Sequence, residues 1–123
     1  MFEIKAQTFE TRLRGVNVTC IVTLDSPESP DVRIETRAKT LEQGVRAVSK
    51  FAGYCRRTLV LPALDDDEDA WARVLASYYG FGLVLESEDR RCEVMSAPAV
   101  DAANDHGPRQ SFIRRVLAEL PAV

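Results

Sequence analysis

The chain has 123 residues, the size of one domain and enough to bury a core without disulfides or a structural metal. Hydrophobic residues make up 46% and charged residues 28%, a balance that excludes both a disordered chain and a membrane-embedded one. The net charge of -3 excludes a polyanion binder by bulk composition, so any basic patch has to be local.

In chain order, "MFEIKAQTFE" is extended, with Phe2, Ile4 and Ala6 alternating with polar residues. It has no apolar signal core, and no later run reaches the length of a membrane span. The expected setting is therefore the cytoplasm, with no membrane partner. Gly15 marks a turn. Val16, Val18, Cys20, Val22 and Leu24 then alternate with Asn17, Thr19, Ile21 and Thr23 as a second strand. The turn chemistry of "DSPESP" stops it. Val32 and Ile34 form a third strand, whose other face carries Asp31, Arg33, Glu35 and Arg37.

Thr40 followed by Gln43 is a capping-box pattern, and the spacing predicts a helix over 40–54. Its apolar stripe is Leu41, Val45, Val48, Ala52 and Cys55. "RTLVLP" reads as a buried strand ended by Pro62. The acids of "LDDDED" suit the first turn of a helix over 67–79. That helix is expected to bury Trp71, Val74, Leu75 and Tyr78 and to end at Gly80. "FGLVLES" and "RCEVMS" are two more strands joined by a polar turn. The pattern divides the chain into an α/β domain over 1–96, a loop over 97–110, and a terminal segment over 111–123. That segment carries an amphipathic helix through Phe112, Ile113, Val116, Leu117 and Leu120, packing on the domain or on a partner. The order is β-β-β-α-β-α-β-β with a C-terminal helix, a mixed sheet with helices packed on it.

Cys20, Cys55 and Cys92 are far apart in apolar contexts, which fits buried thiols in a reducing compartment. The single histidine, His106, sits in the loop "ANDHGP" without the Cys or His neighbours that zinc needs.

A strand ending "IETR", then "LEQGVRAVSKFAGYCRRTLVLP" and "YYGFGLVLES", resembles the PD-(D/E)XK, or restriction-endonuclease-like, nuclease superfamily over about residues 16–96. The resemblance implies a restriction-endonuclease-like core. It also implies that an Asp and a Glu on neighbouring strands bind Mg²⁺, with a lysine two residues after the Glu acting on water and phosphate. Carried over, Asp25 is the first acid, Glu35 the second, both metal ligands, and Arg37 holds the lysine position. Arginine does not give up its proton, so this is a departure from the motif. Lys50, on the following helix, is the substitute within the pattern, and the superfamily's N-terminal helix is replaced by an extended segment.

DNA is the partner the resemblance implies, with Arg56, Arg57 and Tyr79 as candidate nucleic-acid contacts. Three functions are open to this sequence. A catalytically degenerate domain would serve nucleic-acid-associated binding or complex assembly. An active Mg²⁺-dependent DNA endonuclease or exonuclease would use Asp25, Glu35 and a lysine or arginine. A structural protein would serve oligomerisation alone, as a homo-oligomer or complex subunit. Glu35 separates them: a metal ligand needs a cleft shared with Asp25, whereas a structural glutamate is neutralised by Arg33, Arg37 or a neighbouring strand.

Overall fold

A computed structural model describes residues 5–24, 30–100 and 107–120. The fold is α/β, a mixed six-stranded sheet with strands in the order β1-β2-β3-β4-β5-β6 and three helices among the described residues. Strands β1 (Lys5–Leu13), β2 (Val16–Leu24) and β3 (Pro30–Arg37) form an antiparallel meander. Helix α1 (Leu41–Ser49) leads to β4 (Arg56–Leu61), and α2 (Asp66–Tyr79) leads to β5 (Gly82–Glu86). Both strands run parallel to their predecessors, as β-α-β passages require. β6 (Arg91–Met95) returns antiparallel, and α3 (Gly107–Ala118) closes the described chain. None of these helices is long and apolar enough to cross a membrane.

All three helices lie on one face of the sheet. Under α1 and α2, Leu41, Val48, Ala72 and Ala76 pack on Leu59, Leu61 and Leu83. Under α3, Phe112 and Val116 pack on Leu13, Cys20, Val22, Val32 and Ile34. The alternating residues of β2 and β3 (Thr19, Ile21, Arg33, Glu35, Arg37) turn to the other face, which no described helix covers. The segment after β6 crosses part of it. A Cβ on Gly82 would meet the Ala97 backbone nitrogen at 2.7 Å, so only glycine allows this approach.

The caps explain the helix ends. The Thr40 hydroxyl accepts from the Gln43 amide, and the Asp65 carboxylate accepts from the Glu68 amide. Gly80 closes α2 at φ 77°, a left-handed conformation that suits glycine. α1 ends earlier than the apolar stripe suggests. From Lys50 onward the amides bond three residues back, a tighter turn that carries the stripe on to Phe51. α3 begins earlier than expected, at Gly107 with Pro108 in its first turn, where a missing amide costs nothing.

One helix face was not where the sequence put it. Val48, Leu59, Leu61 and Leu83 are buried and Val45, Leu75 and Leu85 are half-buried. Trp71 is 56% exposed, Val74 54% and Tyr78 79%. α2 turns its small residues Ala72 and Ala76 to the sheet instead, which lets its backbone lie close. Cys20 and Cys55 are buried as expected, while Cys92 is exposed on β6.

Arg57 ties the layers together. It points from β4 into the covered face, where Nη1 donates to the Val48 carbonyl at 3.0 Å and Nη2 donates to the Tyr79 carbonyl. One guanidinium thus satisfies the C-terminal ends of α1 and α2, where the helix dipoles concentrate negative potential. Burial pulls its pKa below the usual arginine value. Replacing Arg57 with Leu removes the guanidinium from both carbonyls, leaving Val48 the Phe51 amide, and should destabilise the fold by about 1–3 kcal/mol in chemical denaturation. The opposite sign is expected at Thr36, which is 1% exposed and whose hydroxyl has no hydrogen-bond partner among the described residues. Thr36→Val keeps the shape, removes that hydroxyl, and should raise stability by about 1 kcal/mol.

Candidate functional site

β3 presents Glu35 and Arg37 on the open face, with Thr19 of β2 opposite Glu35 in register. On the other side Glu35 pairs with Thr58 of β4, and Thr58 with Gly82 of β5. Two strands further, the β5–β6 hairpin sets Arg91 directly opposite Glu86, its turn closed by the Ser87 amide on the Arg90 carbonyl at 2.8 Å. The sheet therefore delivers two carboxylates and two guanidiniums to one spot from three strands.

They form a closed ring. Arg91 holds Glu35 with both nitrogens, Nη2 to Oε1 and Nη1 to Oε2, the latter at 3.3 Å. The same Nη1 reaches Glu86 Oε2 at 3.2 Å. Arg37 Nε reaches Glu86 Oε1 at 3.3 Å, and its Nη2 lies 3.6 Å from Glu35 Oε2. Arg37 Nη1 donates to the Thr19 hydroxyl at 3.0 Å, which fixes the guanidinium plane. Glu35 is 8% exposed although no described helix covers it. The Arg37–Glu86 pair also spans β4 above Val60, which faces Arg37 in register; Val60 and Val84 are both 3% exposed on this face.

The electrostatics follow from these contacts. The Arg37 hydrogen bond and charge, reinforced by Arg91, hold the Glu86 carboxyl below the usual carboxylate range. The hydrogen bond that Arg91 donates to Glu35 raises the Arg91 pKa against partial desolvation. Both carboxylates are thus satisfied by bidentate, charge-assisted bonds.

The residues named from sequence are distributed as follows. Glu35 and Arg37 come together in the ring. Asp25 lies outside the described residues, as does His106. Among the described residues no three carboxylate, cysteine or histidine groups converge as a metal site. Lys50 is not brought to Glu35. Its Nζ donates to the Arg14 carbonyl at 3.4 Å, at the β1–β2 turn beside α1 on the covered side, whereas Glu35 faces the open side.

Arg56, Arg57 and Tyr79 do not form one surface. Arg56 lines an open-face cleft with Arg33, Thr58 and Arg91. Arg57 is 7% exposed on the opposite face, so its guanidinium is not available to a phosphate. Tyr79 ends α2 on that covered side, its ring edge-on to Tyr78 with centroids 4.9 Å apart. Burial pushes the Cys20 thiol up to about 11 and the Cys55 thiol up to about 12, so neither is a nucleophile near neutral pH.

Sequence reasoning missed Arg91 as the partner of Glu35, and Glu86 and Thr19 as partners of Arg37. The only signal was an acid ending one strand and an arginine opening the next across a short polar turn. Comparison of the chain with family models, with curated proteins and with solved structures finds no match.

The ring makes stability depend on acid. The Glu86 pKa is lower in the folded chain than in the unfolded one, so its contribution is present above the usual carboxylate range. It is lost as pH falls through the lowered value. Melting temperature should therefore fall for wild type from about pH 6 to about pH 3 more steeply than for Glu86→Gln, the two curves converging at the acid end.

Proposed function

We propose that this chain is a restriction-endonuclease-like domain that has lost hydrolysis and serves binding or complex assembly. The observation that carries the reading is the state of Glu35: both of its oxygens are taken by Arg91, and Arg37 stands beside it. A divalent metal needs carboxylate oxygens free to replace its water, in a site with net negative charge. Here each carboxylate of the ring is matched by a guanidinium. The lysine position holds Arg37, a planar guanidinium committed to Glu86 and Thr19 in place of the motif's ammonium.

The strand and helix order of the described chain supports the resemblance from which this reading starts, three strands, a helix and a parallel strand. The setting that the resemblance suggests is a nucleic-acid-associated complex. The part played there is recognition rather than cleavage.

Incubation with Mg²⁺ or Mn²⁺ on single- and double-stranded DNA tests it. Wild type and Glu35→Gln should both leave the DNA intact. Arg37→Lys alone should also leave it intact, because Arg91 still occupies Glu35. Robust metal-dependent cleavage by wild type, abolished by Glu35→Gln, would sink the reading.

A further inference from the structure

β1 is a nine-residue strand at the end of the sheet, with a strand neighbour on one side only among the described residues. Such edges are commonly blunted by proline, a bulge or shortness. β1 has none of these: its pairing with β2 is regular from Lys5 to Leu13. The other edge, β6, is five residues long, with a register irregularity at Leu83/Val84 where β5 meets it.

The β1–β2 turn decides which groups β1 offers. Arg14 and Gly15 both have positive φ, at 50° and 78°, the pattern of a two-residue type I′ hairpin. In such a hairpin the flanking residues Leu13 and Val16 exchange both backbone hydrogen bonds. By alternation Thr11 and Phe9 also bond inward to Val18 and Cys20. The amides and carbonyls of Thr8, Glu10 and Arg12 therefore point outward, and their side chains lie on the open face.

Glu10 and Arg12 are both exposed and form no ion pair among the described residues, unlike their neighbours Asp31 and Arg33, which pair at 3.2 Å. We infer that β1 pairs antiparallel with β1 of a second copy, about a two-fold axis at Thr11, with Glu10 of each copy opposite Arg12 of the other. This names a partner for the assembly reading above and rests on it.

The charges select that register. Only outward-facing residues can exchange bonds with each other, so the pair slides in steps of two. One step in one direction sets Glu10 against Glu10. One step in the other sets Arg12 against Arg12. Like charges directly opposite are destabilising. The longest overlap, Lys5 against Leu13, sets Glu10 opposite Thr8 and Arg12 opposite Ala6 and leaves both charges unmatched. The Thr11 register gives two ion pairs on the open face and Phe9 against Leu13 on the other, and the two sheets continue as one. The overlap is short, and stable complexes bury roughly 800 Å² per partner. The dimer is therefore weak, dissociating on the order of 10 µM.

Sedimentation equilibrium over a concentration series tests this. Wild type should dimerise. Glu10→Arg alone and Arg12→Glu alone should each weaken self-association at least about tenfold, since both pairs become repulsive. Mixing these two single variants should restore association as a heterodimer, and the double variant should restore the homodimer. Both side chains are exposed, so folding should survive, with circular dichroism as the check. A wild type still monomeric at about 1 mM, some hundredfold above the expected midpoint, overturns the inference. So does a dimer that ignores both reversals, or one that is lost instead on Trp71→Ser. DNA cleavage is read separately, so a monomer without cleavage overturns this inference and leaves the loss of hydrolysis standing.

Discussion

Two crossovers of one hand, taken in one direction across the sheet, place α1 and α2 on the same face of β3, β4 and β5. That constraint divides the molecule. One face receives most of the apolar residues that must be hidden, and α3 completes its cover over β1 to β3, while Val60 and Val84 are hidden on the other face beneath the Arg37–Glu86 pair. The other face is left to the alternating residues, and it must solvate or pair whatever charge the sequence puts there. Arg57 is the exception that shows the rule: alternation sends it into the covered layer. It is tolerated because two helix ends present carbonyls that need a donor.

On the open face the same rule makes the ring necessary. Glu35 sits in the middle of the sheet, where neighbouring strands limit its access to water. A carboxylate in that position is stable if cations replace the lost hydration. Arg37 comes from the same strand and Arg91 from three strands away, so the site depends on the β5–β6 hairpin register as much as on β3. A metal and the arginines are competing solutions to the same desolvation problem. In this structure Arg91 and Arg37 surround Glu35 in that role.

Much of the fold was legible because its signals are local. The alternation of β2 and β3, the Thr40 cap, the acidic start of α2 and the glycine that ends it each involve residues within one turn or one strand. The orientation of α2 was not legible, because bulk hydrophobicity and helix facing disagree there. Trp71, Val74 and Tyr78 form the larger apolar stripe, but Ala72 and Ala76 allow the closer approach to the sheet. The candidate site was half legible. Glu35 and Arg37 lie two residues apart and could be read as a pair. Arg91 is 56 residues away from Glu35, and only the spatial order of the strands makes them neighbours.

The charge of the open face bears on what it can recognise. Asp31 stands with Arg33, Glu35 and Glu86 with Arg37 and Arg91, and Glu10 beside Arg12. Acids and arginines alternate along the strands, so at distances beyond about 10 Å their fields cancel in physiological salt. Such a face does not gather a polyanion from solution as a basic stripe does. At contact distance the pattern is different, because each position still has a definite sign and a definite register. A surface that is neutral from afar and specific up close suits a partner with the complementary alternation, which is what a second copy of the same edge presents.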